Sequence, residues 1–326
     1  MTKEIFSIQR AFNLALGGRS FMPTDEFIRF ALYHPKHGYY TCDTKRVGKG
    51  ENTDFYTSNS HGKLWGQLII EACSEILGAE QIKNYTFLEI AAEPNCSVLK
   101  GINTPFDSTN TIRLGDNFEI PDHSVIFSNE WLDAQPFKRF RFNENKRKWI
   151  EIGVTLRSNI FEEVELPKSD TPINFPKVCI DGYTIDWPIG AYDALNSVLS
   201  QSWKGLFLTF DYGLSRETIF KERPTGTARS YYKHQMCKSL FTQVGKQDLT
   251  CHLCWDELKE CMHKNFFSEA NLETQESFLM NHSQMKIKEI FDSTDNPLNQ
   301  QMLKLRELIH PQHFGGKFQA LWGVRK

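Results

Sequence analysis

A short apolar run that turns polar at its end decides the fold. Residues 124–133 read Ser124-Val125-Ile126-Phe127-Ser128-Asn129-Glu130-Trp131-Leu132-Asp133. Such a run suits a strand of a parallel sheet that is covered on both faces. Phe207–Phe210 likewise precedes a polar pair, Asp211-Tyr212, and Thr86–Ala92 is a third run of this kind. Ligands bind beyond the carboxyl ends of such strands, so we expect site residues at Asn129–Asp133 and at Asp211-Tyr212.

Other sequence patterns surround these three strands. Helical periodicity predicts helices at 25–33, 64–77, 192–203 and 298–309. Antiparallel strands are predicted at 137–142, 149–156 and 160–166, and a last strand at 318–324 after the Gly315-Gly316 turn. The expected fold class is α/β, with a mostly parallel sheet, an inserted antiparallel β-element and an N-terminal helical cap. The expected divisions are a cap (1–80), the first part of the core (81–136), a β-rich insertion (137–187) and the remaining core with a helical C-terminal segment (188–326).

Composition excludes several classes of partner. The 326 residues carry a net charge of -2, and the longest basic block is Lys146–Lys148. Nucleic acid is not an expected partner, because phosphate binding needs a concentrated positive face. Apolar runs such as Leu206–Leu208 are far shorter than the roughly 18 residues of a membrane helix. Met1–Arg10 lacks the apolar stretch of a signal peptide. We therefore expect a cytoplasmic protein with no membrane contact.

The eight cysteines suggest a zinc site only weakly. Zinc sites usually need two close cysteine pairs on tight turns, and here only Cys251 and Cys254 are close. The segment Gln247–Trp255 is interpreted as a strand, in which positions i and i+3 point to opposite faces. We expect reduced, buried thiols and no metal.

Five blocks of sequence stand in the order of known motifs. They are Tyr33-His34-Pro35 with Gly38-Tyr39-Tyr40, then Thr53-Asp54-Phe55-Tyr56-Thr57-Ser58, then Asn129-Glu130-Trp131-Leu132-Asp133-Ala134-Gln135-Pro136, then Asp211-Tyr212-Gly213 with Gly226-Thr227-Ala228-Arg229-Ser230-Tyr231 and His234, and last Asp248-Leu249-Thr250-Cys251-His252. These blocks are similar to the motifs YHPxxGYY, GDFxTS, NEffDAlP, DYG…GTlrxY and DITAH. They are the motifs of the MidA-type (DUF185) methyltransferases, a group that includes mitochondrial complex I assembly factors. The chain resembles a divergent member of that family.

The resemblance implies a Rossmann-like class I methyltransferase core, S-adenosylmethionine as cofactor and a protein substrate methylated on arginine. It implies catalytic roles for Glu130, Asp133, Asp211 and His234. It implies cofactor binding by Tyr39, Asp54, Thr57, Glu89, Ala91 and Asn129. It implies substrate binding by Tyr212, Arg229 and His252. The carboxylates of Glu130, Asp133 and Asp211 would hold an arginine cation and accept its proton. From the residues alone, Asp133 and Asp211 are better explained as caps of turns or helices, and the resemblance is what favours the site role.

The sequence departs from the family on the cofactor side. Where the family has a glycine-rich turn similar to EIGxGxG, residues 89–95 read Glu89-Ile90-Ala91-Ala92-Glu93-Pro94-Asn95. Only residues 94–128 remain for three strand–helix units, so the sheet is expected to be truncated there. The acid that binds the cofactor ribose has two candidates, Asp107 and Asp116.

These departures leave two hypotheses. One is a working methyltransferase that acts on a protein arginine. The other is a lapsed enzyme that binds a protein partner as an assembly factor or scaffold. The sequence leaves a homodimer open.

Overall fold

The computed structural model describes residues 7–41, 58–92, 97–168, 170–172, 174–233, 235–293, 296 and 298–326, and the backbone alone of 2–6. Its strands are β1 Met22–Pro23, β2 Thr86–Ile90, β3 Ser108–Ile112, β4 His123–Asn129, β5 Lys138–Asn143, β6 Lys148–Arg157, β7 Ile160–Glu165, β8 Thr184–Trp187, β9 Lys204–Asp211, β10 Gly213–Leu214, β11 Arg229–Tyr232, β12 Gln235–Met236, β13 Asp248–Thr250, β14 Leu253–Cys254, β15 Asn271–Thr274 and β16 Gln319–Arg325. Its helices are α1 Thr2–Leu16, α2 Thr24–Tyr33, α3 Lys63–Leu77, α4 Ile189–Leu199, α5 Arg216–Glu222, α6 Trp255–Lys264, α7 Gln275–His282, α8 Gln284–Asp292, α9 Gln300–Ile309 and α10 Phe314–Lys317, with 3-10 turns at Ser58–His61 and Gln81–Asn84.

The main sheet has the strand order β15-β16-β9-β4-β2-β3. The four strands β3, β2, β4 and β9 run parallel, whereas β16 and β15 are antiparallel to their neighbours. One face packs against α3, α7, α8 and α9, and the other packs against α4 and α6. The apolar runs predicted as buried strands are the centre of this sheet, because only residues covered on both faces can be apolar throughout. The expected α/β fold class is confirmed.

The sheet is short on the side of β2. Within residues 97–122, the described chain between β2 and β4 contains one strand, β3, and no helix. The truncation expected from the residue count is therefore present. It leaves β3 at the edge of the sheet, paired with β2 alone among the described strands.

The insertion is a second, antiparallel sheet. Strand β6 pairs with β5, β7 and the short β1, and β8 pairs with β5. One hydrophobic cluster joins residues of this sheet to α1 and α2, and a second, largely aromatic cluster covers β5, β6 and β8. The two N-terminal helices therefore hold the insertion sheet, whereas α3 packs on the main sheet.

Two local predictions are wrong. Residues 247–255 do not form one strand, because β13 pairs with β11, β14 pairs with β10, and α6 begins at Trp255. A strand that changes partners is broken at the change, and Asp256 and Glu257 favour a helix start there. The expected Gly315-Gly316 turn lies inside the short helix α10.

Cys251 and Cys254 are buried free thiols. In the part of the chain that the structure describes, no cluster of His, Cys, Asp and Glu has the composition of a metal site. None of the helices described has the length and apolarity needed to cross a bilayer.

Candidate active site at the strand ends

A cavity of about 850 Å³ lies at the carboxyl ends of β2, β3 and β4. Its sheet side is formed by residues 90–92, 112–116 and 129–131. The opposite wall includes Tyr33, Tyr40, Tyr212, Tyr231 and Asp248. Pockets of a few hundred to about 1,000 Å³ with convergent polar groups are typical of small-molecule sites. The described structure thus retains space for a nucleoside-sized ligand beside the glycine-free turn.

The chain after β4, Asn129–Asp133, is named here the acid edge. It is fixed from behind by Asp211, which is fully buried. Asp211 Oδ2 accepts hydrogen bonds from the backbone N–H of Leu132 (3.0 Å) and of Asp133 (3.2 Å). Its Oδ1 accepts from the N–H of Tyr212 at 2.9 Å. Asp211 was expected to be catalytic, but it is not among the described residues that line the cavity. Its geometry is that of a positioning residue.

Glu130 faces the cavity from a constrained backbone. Its φ of +53° lies in the left-handed region, which is costly for a residue with a Cβ. Its N–H donates to the carbonyl of Phe210 at 2.9 Å, and its Oε1 accepts from Asn129 Nδ2 at 2.9 Å. Non-glycine residues held in such conformations cluster at functional sites. The fold therefore keeps Glu130 in the cavity wall at a cost in backbone strain.

Asp133 is buried deeper in the same wall. Its Oδ2 accepts from Thr250 Oγ1 at 3.0 Å, and that hydroxyl also lies 2.6 Å from the hydroxyl of Tyr212. Asp133 Oδ1 and Asn129 Oδ1 are buried acceptors without a hydrogen-bond partner among the described groups. Buried acceptors nearly always have a donor in folded proteins. These two oxygens therefore indicate a ligand that brings N–H or O–H groups to the acid edge.

The carboxyls of the acid edge resist ionisation. Burial, with the nearby carboxylates of Asp133 and Asp248, holds the pKa of Glu130 well above its usual value. Burial also raises the pKa of Asp133, and burial together with Asp133 raises the pKa of Asp211. A cation bound beside such carboxyls would lower their pKa values, because it favours the charged form. The site is electrostatically suited to a positively charged ligand.

Two tyrosines form an aromatic wall beside the acids. The rings of Tyr33 and Tyr40 are stacked, with centroids 5.5 Å apart and planes 19° apart. The Tyr33 hydroxyl donates to the Ala134 carbonyl at 2.8 Å, and the Tyr40 hydroxyl donates to Asp248 Oδ1 at 2.9 Å. Tyr39 was expected to bind the cofactor, but its ring is buried among α1 and α2. The side chains of Tyr39 and Tyr40 point in opposite directions, so Tyr40, and not Tyr39, lines the cavity.

The chain after β2, Ala91-Ala92, is named here the turn edge. Both residues line the cavity. Cofactor binding by Ala91 remains a prediction. Ala91 has a φ of +60°, and its N–H donates to the Ile112 carbonyl at 2.8 Å. Glu89 was expected to contact the cofactor, but it is buried outside the cavity wall, and its Oε2 accepts from the N–H of Val98 at 2.9 Å. Because the Glu89 carboxyl is buried, it needs a hydrogen-bond donor, and the backbone N–H of Val98 supplies one.

Three predicted site residues, Asp54, Thr57 and His234, lie outside the described residues, and so does the end of the glycine-free turn, Glu93-Pro94-Asn95.

Of the three residues predicted to bind substrate, one lies in the cavity wall and two do not. Tyr212 lines the cavity. His252 and Arg229 are not in the described wall; the His252 ring contacts Tyr212 edge-on, with centroids 5.6 Å apart. Burial and the cations Arg229 and Arg223 lower the pKa of His252 to about 4, so this histidine is neutral at physiological pH. Arg229 donates from Nη1 to the carbonyl of Ala228 at 2.8 Å.

Several wall residues were missed by sequence reasoning. Tyr33 and Asp248 begin the first and fifth motif blocks, and Tyr231 ends the fourth, so the blocks contained a signal for each. Arg29 and Arg113 also line the cavity. They belong to no block, and only the fold brings them to the site.

Comparisons with known proteins agree with this geometry. Residues 95–270, more than half of the chain, match the family described as "Putative S-adenosyl-L-methionine-dependent methyltransferase". Among solved structures, a COG1565 superfamily member from Burkholderia thailandensis bound to S-adenosyl-homocysteine superposes with a TM-score of 0.86 at 18% identity, covering 99% of this chain and 93% of that one. A native COG1565 superfamily protein from the same organism gives 0.81 at 18% identity, with 99% and 92% covered. The search of curated proteins gives no significant match.

The two structural likenesses establish the fold, because their sequence identity is too low to carry more. The family match covers the acid edge, Asp211 and the last two motif blocks. The chain therefore belongs to the S-adenosyl-L-methionine-dependent methyltransferase family that the match defines, which is the MidA-type (DUF185) family that its motifs resemble.

Proposed function

We propose that this protein binds S-adenosylmethionine in the cavity and transfers its methyl group to an arginine side chain of a protein substrate. The observation that carries the proposal is a pair of buried acceptors at the acid edge, Asn129 Oδ1 and Asp133 Oδ1, which have no partner among the described residues and lie beside the cavity-facing carboxyl of Glu130. Acceptors without donors, in a group of carboxyls that resist ionisation, suit a cation that carries several N–H groups. A guanidinium has five N–H donors and stays charged.

The cavity fits the adenosyl cofactor as well as the substrate side chain. Its size allows both ligands to enter together. Its apolar strand ends suit a nucleoside, and its carboxyls suit a sulfonium and an ammonium group. Arg113 and Arg29 supply cations for the ligand's own carboxylate. The glycine-free turn contributes only the methyl groups of Ala91 and Ala92 among its described residues.

When bound, the cofactor supplies a methyl group on an already activated sulfonium, so the protein's task is mainly orientation. Asn129 Oδ1 and Asp133 Oδ1 would accept two guanidinium N–H bonds and fix the plane of the side chain. The Tyr33 and Tyr40 rings would cover the guanidinium and exclude water. One guanidinium nitrogen forms the new N–C bond as the S–C bond breaks.

The attacking nitrogen must lose a proton, because the methylated guanidinium carries the same single positive charge as the substrate. Glu130 is one of the carboxyls in the cavity wall. A bound guanidinium favours its ionised form, and the burial that raises its pKa makes that carboxylate a stronger base than an exposed glutamate. The products are the methylated arginine, S-adenosylhomocysteine and a proton that passes from Glu130 to solvent.

The test has a binding step and a transfer step. Calorimetry with S-adenosylmethionine and S-adenosylhomocysteine should show saturable binding by the wild type. Radiolabelled S-adenosylmethionine is then supplied with an arginine-centred peptide library, with the same library carrying lysine, and with a cell extract as a source of folded acceptors. Amino-acid analysis of the hydrolysed products should find the label in methylarginine. Asp133→Asn should abolish labelling, and Asp107→Asn, at the other end of β3, should leave it unchanged.

Each result bears on a different part of the proposal. Absence of binding at millimolar cofactor would overturn the cofactor assignment. Label recovered in another amino acid would overturn the arginine assignment. Cofactor binding without transfer to any acceptor, together with a protein partner retained by an Asp133→Asn variant, would favour the lapsed enzyme instead.

A further inference from the structure

A second group of polar side chains lies beside the cavity, next to Tyr212. It consists of Arg223, Arg229 and His252, and is named here the basic cluster. All three side chains are partly exposed. Each of the two guanidinium groups donates to the carbonyl of the residue before it, at 3.3 Å and 2.8 Å. In the part of the chain that the structure describes, neither arginine forms an ion pair with a carboxylate.

Other arginines of similar exposure are paired. Arg139, Arg141 and Arg216 are partly exposed as well, and each bonds a carboxylate at N–O distances of 2.5 to 2.7 Å. A guanidinium has five N–H donors in a fixed fork, and a carboxylate or a phosphate satisfies two of them at once. The basic cluster therefore has a capacity for binding anions that the described chain does not use.

Strands β11 and β13 connect this cluster to the cavity. In their antiparallel pairing Tyr231 lies opposite Asp248, and Arg229 lies opposite Thr250. Opposed residues and alternate residues of a strand share one face of a sheet. Tyr231 and Asp248 line the cavity, and Thr250 Oγ1 donates to Asp133 Oδ2 at 3.0 Å. The face that borders the acid edge thus continues into Arg229.

His252 is held at the end of the same face. Its backbone N–H donates to Thr227 Oγ1 at 3.3 Å, and its ring meets the ring of Tyr212 edge-on. Burial, with the positive charges of Arg229 and Arg223, lowers the pKa of His252 to about 4. A neutral imidazole still donates one N–H. The cluster therefore offers two positive charges and one further N–H that does not require protonation of the ring.

Arg223 reaches the cluster from the end of α5. Its carbonyl accepts from the N–H of Gly226 at 3.0 Å, and its own N–H donates to the hydroxyl of Tyr183 at 3.0 Å. This turn leads directly into the segment before β11, so the two arginines approach His252 from one continuous stretch of chain.

The spacing between cluster and cavity suits neighbouring residues of a peptide. The ring centroids of His252 and Tyr212 are 5.6 Å apart, and Tyr212 lines the cavity. In an extended chain, side chains two positions apart lie on one side and are separated by about 6.6 Å. A peptide whose arginine enters the cavity would therefore place a residue one or two positions away at the basic cluster.

We propose that the basic cluster binds an anionic side chain of the protein substrate, one or two residues from the arginine that is methylated. This proposal rests on the proposed function for the identity of the acceptor, and it adds a sequence preference. The anion is a carboxylate of Asp or Glu or the phosphate of a phosphorylated Ser, since either can bond a guanidinium in two places. The acid edge and the basic cluster would then select an arginine beside an acid, and a second cation at the cluster would be repelled.

The experiment uses arginine-centred peptides that differ at one flanking position at a time. That position carries glutamate, phosphoserine, glutamine or lysine. Labelling with radioactive S-adenosylmethionine gives kcat/KM for wild type, Arg229→Gln, Arg223→Gln and Arg306→Gln. The wild type should prefer glutamate over glutamine by about tenfold at one position, which is the usual effect of a hydrogen bond to a charged group, and should disfavour lysine there.

The variants show whether the cluster causes this preference. Arg229→Gln should bring the ratio of glutamate to glutamine close to one, and Arg223→Gln should reduce it. Arg306→Gln, at an exposed position of α9, removes the same charge away from the cavity and should keep the wild-type ratio. Arg229→Glu should prefer lysine over glutamate at the same position. A merely structural role would lower the rate with every peptide alike and would not reverse the preference.

The source of the anion follows from the same peptides. A larger gain from phosphoserine than from glutamate assigns a phosphorylated substrate, and an equal or smaller gain assigns an acidic residue. Calorimetry with these peptides in the presence of S-adenosylhomocysteine measures binding without methyl transfer.

A glutamate preference that survives in both Arg229→Gln and Arg223→Gln would overturn the proposal. Equal values for the glutamate, glutamine and lysine peptides would also overturn it. If arginine is methylated without any acid preference, this proposal fails and the proposed function stands. If the acid preference appears in binding but no peptide or extract protein is methylated, only the proposed function fails. If no peptide binds and none is methylated, both fail.

Discussion

The acid edge and the turn edge border the same cavity, but the fold holds them very differently. Two backbone N–H groups of the acid edge, those of Leu132 and Asp133, donate to the buried Asp211. The edge also places at the cavity a strained Glu130 and two acceptors that have no partner among the described residues. At the turn edge, Ala91 and Ala92 offer the cavity no polar side-chain atom. The acid edge, where we propose that the substrate is held, is therefore built with more constraint than the turn beside β2.

Under the proposed function, this contrast separates the groups that orient the substrate from the groups that hold the nucleoside. Groups that orient a nucleophile and take its proton act only within about half an ångström of one geometry. A nucleoside can be held by any adequate combination of stacking and ribose contacts, and these can move to another loop. The predictions below test this difference, starting from the acid edge.

The largest effect is expected from Asp211→Ala. The substitution leaves three buried N–H groups without an acceptor. We therefore expect the free energy of unfolding to fall by about 3 kcal/mol and methyl transfer to be lost. Asp211→Asn keeps one acceptor oxygen, so its stability and activity should lie between those of the wild type and Asp211→Ala. Urea unfolding and the labelling assay measure both properties. A folded Asp211→Ala protein with normal transfer would show that the acid edge does not need this support.

Glu130→Gln should lower the transfer rate by about 100-fold, which is the usual contribution of a positioned general base. Cofactor affinity should change far less, because the amide keeps the size of the side chain and its hydrogen bond to Asn129. Single-turnover kinetics with saturating cofactor separate the two effects. An equal loss in affinity and in rate would mean that Glu130 binds ligand and does not take the proton.

At the turn edge we expect a gain in stability. Ala91 has a φ of +60°, a conformation that costs a residue with a Cβ about 1 kcal/mol relative to glycine. Ala91→Gly should therefore raise the free energy of unfolding by about 1 kcal/mol and change S-adenosylhomocysteine affinity less than about threefold. Ala92→Gly, at a position without a positive φ, is the control and should not stabilise. A large gain in affinity from Ala91→Gly would show that the missing glycine limits binding.

The smallest effect concerns pH and the ligand-free protein. Burial raises the pKa of Glu130 above its usual 4.5, so the folded chain holds a proton that the unfolded chain releases. The contribution of Glu130 to stability is thus present below pH 4.5 and is lost as the pH rises through the folded pKa. Glu130→Gln cannot ionise, so it should be more stable than the wild type by a margin that grows above pH 4.5. The free energy of unfolding of both proteins is measured by denaturation at several pH values from 5 to 8. A difference between Glu130→Gln and wild type that stays constant over this range would contradict the prediction.

Much of the fold could be predicted because its signals are local. The helical period of residues 64–77, ended by Gly78, became α3, and the apolar runs around 86–90, 124–128 and 207–210 became the buried strands β2, β4 and β9. The residue count between β2 and β4 also sufficed to predict the truncated edge. In each case the pattern depends on neighbours in the sequence, or on how many residues an element needs.

The direction of individual side chains could not be predicted in the same way. Tyr39 and Tyr40 are adjacent and chemically alike, yet the packing of α1 and α2 buries one and leaves the other in the cavity wall. Glu89 and Asp211 carry carboxyls that would suit the site, but both accept hydrogen bonds from buried backbone N–H groups. Arg113 belongs to no motif, and only the fold sets it beside the end of β2; the sequence named Asp116 as one of two candidate acids but did not place it in the cavity wall.

The marginal position of β3 makes this strand a natural reporter. Ser108, Thr109 and Asn110 are exposed, whereas all of β2 and the centre of β4 are buried. Amide hydrogens on its outer side should exchange with deuterium sooner than those of the inner strands. Ligand that settles against Ile112 and the loop beyond it should slow this exchange while β4, already protected, keeps its rate. Mass spectrometry of one peptide spanning residues 106–118 would then follow occupancy of the site without any label on the ligand.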